Sequence, residues 1–247
     1  MNKFVLEACV DSVESAIAAQ KGGATRLELC ANLMIGGTTP DINLYHEVRN
    51  HTNLPVNVLI RPRFGDFLYS PYEFEIIKND IRMFVKDGAD GIVSGFLKQD
   101  GSLDEPKLEE SIRLGGGKAF TFHRAFDLCA DPFLALKQAQ NLGVTTILTS
   151  GQKNTAVEGK ELIRNLVQKS ETVDILVGSG VTAENLSELI LSTGTKNFHM
   201  SAKKEKNSAM TYRKAGVAMG LPLMSEYLIW ETDADKIAES RKILENS

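Results

Sequence analysis

The sequence predicts a (β/α)8 TIM barrel, an α/β fold with one domain covering residues 1–247. Three observations carry that expectation. Strand-like and helix-like segments alternate eight times along the chain. A helix that stops at a glycine and hands over to a short strand recurs four times, as GATRLELC (Gly23–Cys30), GADGIVSG (Gly88–Gly95), GVTTILTS (Gly143–Ser150) and GTKNFHMS (Gly194–Ser201). No Gly-rich dinucleotide fingerprint follows the first strand, which argues against an open doubly wound sheet. A length of 247 residues suits one barrel and a substantial core.

The elements follow in order. FVLEACV near Phe4 reads as the first strand. VDSVESAIAAQKG then places Val13, Ala16 and Ile17 on one helical face, with Asp11 or Ser12 as cap. RLELC is the second strand, and Ile42–Asn50 the second helix. PVNVLIRPR from Pro55 leads to a helix at Pro71–Lys86, and GADGIVSG to one at Glu105–Leu114. AFTFHR from Ala119 precedes DPFLALKQAQNLG, where Asp131 caps, Pro132 takes the first helical position and Gly143 stops the helix. GVTTILTS precedes a helix at Thr155–Gln168, VDILVGSG precedes TAENLSELILSTG, and GTKNFHMS precedes a last helix at about 233–245. KKEKN (Lys203–Asn207) reads as a solvated loop. YLIW (Tyr227–Trp230) reads either as a homodimer contact or as packing for the last helix.

Composition excludes several classes. A net charge of −4, with basic residues spread along the chain, argues against nucleic acid as a partner. No apolar stretch is long enough to span a bilayer, and Glu7 interrupts the N-terminal apolar run, so neither a membrane nor a signal peptide is expected. Three cysteines without a close pair do not make a secreted disulfide framework. The expected compartment is the cytoplasm, with reduced thiols.

Strand parity assigns the barrel interior. Leu27, Ile92, Ile147 and Phe198 share one parity and face the helices. Glu28, Val93, Leu148 and His199 share the other and face inward, followed at the C-terminal mouth by Cys30, Gly95, Ser150 and Ser201, whose small side chains leave room. By the same alternation Val5, Glu7 and Cys9 point inward, as do Asn57, Leu59, Arg61 and Arg63, and Thr121 with His123. Barrel interiors are normally filled with branched apolar side chains, and unpaired charge there is costly. Glu7, Glu28, Arg61, His123 and His199 in one interior therefore point either to a site or to a structural ion-pair network, and the C-terminal face is where this fold carries chemistry. Arg26 is expected deeper, salt-bridged to a glutamate.

Four motifs sharpen this. VGSGVTAEN follows strand seven and opens a helix, so Ser179 and Gly180, helped by Ser201 and Lys203, could receive an anion; the alternative is a tight turn capped by Thr182. Arg61 and Arg63, with Asp66 in the same loop, could bind a carboxylate or phosphate through guanidinium forks, or balance Glu28 and Asp66. In TFHRAFD, His123 is a candidate general acid or orienting group, with Arg124 and Asp127 supporting it, and Glu7 or Glu28 is the candidate base. Cys9 and Cys30 end strands one and two with matched parity, on neighbours about 4.8 Å apart. Two soft thiolates suit Cu(I), although small buried cysteines are also common packing residues. Cys129 lies in the loop after strand five; His46 and His51 read as surface residues.

Together, LEACVDSVESA, RLELCANL, GGTTP, IRPRFGDFLYS, TFHRAFD, LTSGQK, GSGVTAENL and FHMSA resemble the signature blocks of the CutC family, from Phe4 to about Tyr227. The resemblance implies a cytoplasmic TIM-barrel protein named for copper homeostasis. It also implies that Cys9 and Cys30, which match the proposed copper ligands of animal relatives, are metal-binding. Two functions are thus expected: Cu(I) handling by the thiols, or an enzyme (lyase, isomerase or hydrolase) acting on a small anionic or phosphorylated molecule.

Overall fold

The computed structural model describes residues 4–217, 219 and 225–247. Eight parallel strands close into a barrel in sequence order: β1 (Val5–Val10), β2 (Arg26–Leu29), β3 (Val56–Leu59), β4 (Gly91–Ser94), β5 (Ala119–Phe122), β6 (Thr146–Thr149), β7 (Asp174–Val177) and β8 (Asn197–Met200), with β8 pairing back onto β1. The expected TIM barrel is therefore the fold. The helices α1 (Val13–Gly22), α2 (Ile42–His51), α3 (Pro71–Lys86), α4 (Glu105–Leu114), α5 (Pro132–Leu142), α6 (Lys160–Lys169), α7 (Ala183–Thr193) and α8 (Ala234–Glu245) form the outer ring.

Local chemistry sets the boundaries. Ser12, rather than Asp11, caps α1 by accepting the Ser15 N–H, and Asp131 accepts the N–H groups of Phe133 and Leu134 at the start of α5. Gly23, Gly143 and Gly194 end α1, α5 and α7 in the left-handed region, where a side chain is strained. Gly88, with φ at 92°, turns the chain after α3. The main core lies between strands and helices, where Leu6, Leu27, Ile92, Phe120, Ile147 and Phe198 are all buried. The interior holds a separate small apolar cluster of Cys9, Cys30, Leu59 and Val93. The division follows the parity assignment.

Two expectations are corrected. KKEKN is not a loop: it forms β9 (Lys203–Asn207), antiparallel to β10 (Leu228–Thr232), and this ribbon stands between β8 and α8. Hence YLIW runs into a strand that pairs with β9 and touches α1, leaving Leu228 and Ile229 exposed. Helix α6 begins at Lys160, not at Thr155, because Gly159 passes against the strand-six loop: a Cβ there would lie 1.9 Å from the Ser150 carbonyl oxygen.

Candidate functional site at the barrel mouth

The site is built from its floor upward. Glu7 on β1 is fully buried and ion-paired with Arg26 of β2. Its other oxygen lies 2.8 Å from His199 Nδ1 on β8. The register explains the trio, since Glu7 pairs with Arg26 on one side and His199 on the other. Asn57 Nδ2 adds a long contact of 3.5 Å, in space left by Gly91, where a Cβ would lie 2.3 Å from Asn57 Oδ1. Burial pushes the Glu7 carboxyl up, but Arg26 and His199 outweigh it and hold its pKa at about 2. Burial opposes the charge on His199, yet Glu28 and Glu7 overcome it and raise its pKa. The floor is thus a buried carboxylate held between Arg26 and His199, with the His199 ring bordering the cavity.

One layer up, Cys9 Sγ lies 3.8 Å from Cys30 Sγ. The Cys9 thiol donates to Glu28 Oε1 at 3.5 Å, and the Cys30 thiol to the Val10 carbonyl at 3.6 Å. Ligand atoms of Cys9, Glu28 and His199 fall within 4.8 Å of one another. Contact with the Cys30 thiol, burial and the nearby glutamates all push the Cys9 thiol well up. Burial likewise raises Glu28. Among the described residues, Glu28 Oε2 has no hydrogen-bond partner.

His123 stands on the opposite wall, at the end of β5, and is 5% exposed. Its Nδ1 accepts the Ala125 N–H at 3.2 Å, so the ring proton resides on Nε2, which has no partner among the described residues. Phe67 packs on the ring with centroids 4.8 Å apart. Gly95 makes room, because a Cβ there would lie 2.7 Å from His123 Nδ1. Burial, with Arg61 nearby, lowers the pKa to about 3. That geometry suits a neutral N–H donor and argues against the expected general acid at neutral pH.

The two expected arginines differ: both make contacts within the protein, but the buried Arg61 Nε, on the cavity lining, has no partner among the described residues. Arg61 donates to the carbonyls of Gly36, Gly37 and Gly65 and stacks over Phe67. Arg63 holds Glu73, Asp66 and the loop carbonyls of Phe64, Asp66 and Leu68, and neither it nor Asp66 lines the cavity. Arg124 donates to Asp127 and Ser150. Asp127 also accepts from Thr149 Oγ1 and from the N–H groups of Ser150 and Gln152, so this pair braces the loop after β6. Cys129 is buried and outside the cavity lining.

A cavity of about 920 Å³ opens above these groups. Cys9, Glu28, Arg61, His123, Arg124, Asp127, His199, Ser179, Gly180 and Ser201 all border it, whereas Glu7 and Cys30 lie just beneath. Ser179 and Gly180 sit at positive φ, and the Ser179 hydroxyl donates to the Asn154 carbonyl at 2.7 Å. Sequence reasoning missed the contribution of α8, whose Lys236 and Glu239 reach the rim, and that of Phe67 and Leu128. Parity covers strands only, and these residues come from loops and a helix.

Fold and site together define a (β/α)8-barrel protein with a buried thiol, carboxylate and imidazole cluster under a ligand-sized cavity at the C-terminal mouth. The CutC family model matches residues 4–204. A mouse copper homeostasis protein cutC homolog is 43% identical over 238 residues, covering 96% of this chain and 88% of the relative. The human homolog is 42% identical over 247 residues, covering 99% and 90%. The solved CutC structure from Streptococcus agalactiae superposes with a TM-score of 0.76 at 32% identity, covering 80% of this chain and 98% of that one. The chain belongs to the CutC family.

Proposed function

We propose that this chain takes part in copper homeostasis by binding Cu(I) through Cys9 and Cys30 in the cytoplasm. The observation that carries the reading is the 3.8 Å separation of the two sulfurs. Two metal–thiolate bonds of about 2.3 Å reach at most about 4.6 Å, so one ion can contact both sulfurs with little movement. Soft thiolates select Cu(I) over harder cations. His199, within 4.8 Å of Cys9 and Glu28, supplies a third donor atom, and its contact with Glu7 is the carboxylate–histidine support common behind metal ligands. All three cysteines are free thiols, which supports a reducing compartment.

The test is an anaerobic Cu(I) competition titration against a calibrated chelator, comparing the parent with Cys9→Ser, Cys30→Ser. One equivalent bound by the parent and lost in the variant is expected. Equal binding by both would remove the thiols from the reading. The raised Cys9 thiol adds a second expectation: the ion must displace a proton, so affinity rises with pH.

A further inference from the structure

We propose that the wall of the barrel mouth formed after β3 and β5 binds a small organic anion, a carboxylate or a phosphate monoester, whose charged group pairs with Arg61 and whose second oxygen accepts the His123 Nε2–H. The starting point is the Arg61 guanidinium, a residue only 8% exposed. Its Nη1 and Nη2 donate to three neutral acceptors, the carbonyls of Gly36, Gly37 and Gly65. A guanidinium has five N–H donors, so these bonds do not exhaust it. Among the described residues its Nε has no partner, and it forms no ion pair, whereas Arg26, Arg63 and Arg124 each meet a carboxylate. A buried charge without a counterion is costly, so a fold that keeps one on a cavity wall points to an anionic partner.

His123 supplies a second donor on the same wall. It is 5% exposed, and its Nε2–H has no partner among the described residues. Phe67 ties the two groups together. Its ring centre lies 5.1 Å from Arg61 Cζ and 4.8 Å from the His123 ring centre, so guanidinium and imidazole are at most about 10 Å apart. With a hydrogen bond of about 3 Å at each end, a molecule of a few heavy atoms spans that gap. Both residues border the 920 Å³ cavity, a size within the range of about 300–1,000 Å³ usual for organic ligands. Copper does not serve this wall, because a cation at the thiols cannot neutralise a guanidinium.

The other charges around the mouth leave Arg61 as the deciding group. At the rim, Lys203 and Lys236 stand with Glu184 and Glu239 and balance them. Arg124 is paired with Asp127. On the floor, Glu7 is held by Arg26 and His199. Glu28 accepts the Cys9 thiol, and burial favours its neutral form, which lessens repulsion of an anion. The loop after β7 is occupied internally: the Ser179 hydroxyl donates to the Asn154 carbonyl and the Thr182 N–H to Asn185 Oδ1. The Tyr69 hydroxyl, also buried without a partner among the described residues, lies outside the cavity lining and takes no part. His123 is fixed by the Ala125 N–H as a neutral Nε2–H donor, which suits a carbonyl or hydroxyl oxygen beside the charged group.

The experiment uses the full chain labelled with ¹⁵N-arginine and ¹⁵N-histidine and follows the Arg61 Nε and His123 Nε2 resonances at pH 7. Glycolate and dihydroxyacetone phosphate are the anionic probes; glycolamide and dihydroxyacetone are their uncharged counterparts. Saturable shifts of both resonances with at least one anion are expected, with Kd of about 1 mM or tighter. A response to glycolate alone identifies a carboxylate ligand, and one to dihydroxyacetone phosphate alone a phosphate ester. The uncharged counterpart should bind at least about tenfold more weakly, since it forfeits the charge-assisted contact. His123→Phe keeps a ring against Phe67 and removes the donor; read at Arg61 Nε, it should weaken binding about tenfold. The Cys9→Ser, Cys30→Ser variant should keep both shifts, which separates this site from copper binding. No saturable shift with either anion would overturn the proposal. So would equal binding of the uncharged probes, a shift of only one of the two resonances, or loss of binding with the two thiols.

Discussion

Glu7 shows what one residue does when every partner is in place. It is fully buried, yet its charge is held by Arg26 and His199. Glu7→Gln keeps the shape and removes the charge, leaving the Arg26 guanidinium and the His199 ring without their shared carboxylate. Breaking a buried pair from one side typically costs about 3–5 kcal/mol, and denaturant unfolding of the variant should show a loss on that scale. His123 makes the opposite case for pH. Its folded pKa of about 3 lies below the unfolded value of 6.5, so the unfolded chain binds the extra proton between the two. The neutral ring's contribution is thus complete above pH 6.5 and is lost as pH falls toward 3. Stability of His123→Asn should decline less steeply across that window than that of the parent. A parallel decline would mean that other groups dominate acid unfolding. The inward positions of Glu7, Glu28, His123 and His199 were legible because strand alternation is local. The engagement of Arg61 was not, because its acceptors are loop carbonyls at Gly36, Gly37 and Gly65, whose directions no periodicity reports.

At the scale of elements, glycine carried much of the readable signal. Gly143 and Gly194 have left-handed φ values of 86° and 79°, and a Cβ at either meets nothing within 4 Å. Alanine there should cost only the backbone strain, about 1–2 kcal/mol each. Gly159 differs: its φ is negative, but a Cβ would sit 1.9 Å from the Ser150 carbonyl oxygen. Gly159→Ala should destabilise more than either of the others, and a thermal-melt series of the three variants would show the order. That close approach also explains why α6 starts late, since contact between distant segments leaves no trace in a helical pattern. The β9–β10 ribbon was hidden for another reason. KKEKN has no apolar alternation because all five residues are exposed. Its strand form depends on pairing with β10, on Lys206–Glu231 at 2.7 Å, and on Lys203 lying 3.5 Å over the Trp230 ring.

For the molecule as a whole, the thiols join the first two strands of a barrel whose closing seam is β1 against β8. Cys9 and Glu28 belong to β1 and β2, Cys30 directly follows β2, and His199 lies on β8, so a ligand at this cluster spans the seam and its neighbour. Binding to the folded state alone raises stability by about 2.7 kcal/mol when free ligand is a hundredfold above Kd. For a chain of 247 residues, each kcal/mol moves Tm by about 2–4 °C, giving an expected rise of about 5–10 °C with buffered Cu(I). Cysteines of the unfolded chain also bind Cu(I), which places the rise toward the lower end. Differential scanning calorimetry under anaerobic conditions should show the shift in the parent and not in Cys9→Ser, Cys30→Ser. A shift of equal size in both would place the copper on other groups, because the serine variant retains Glu28, His199 and Cys129 and lacks only the facing sulfurs.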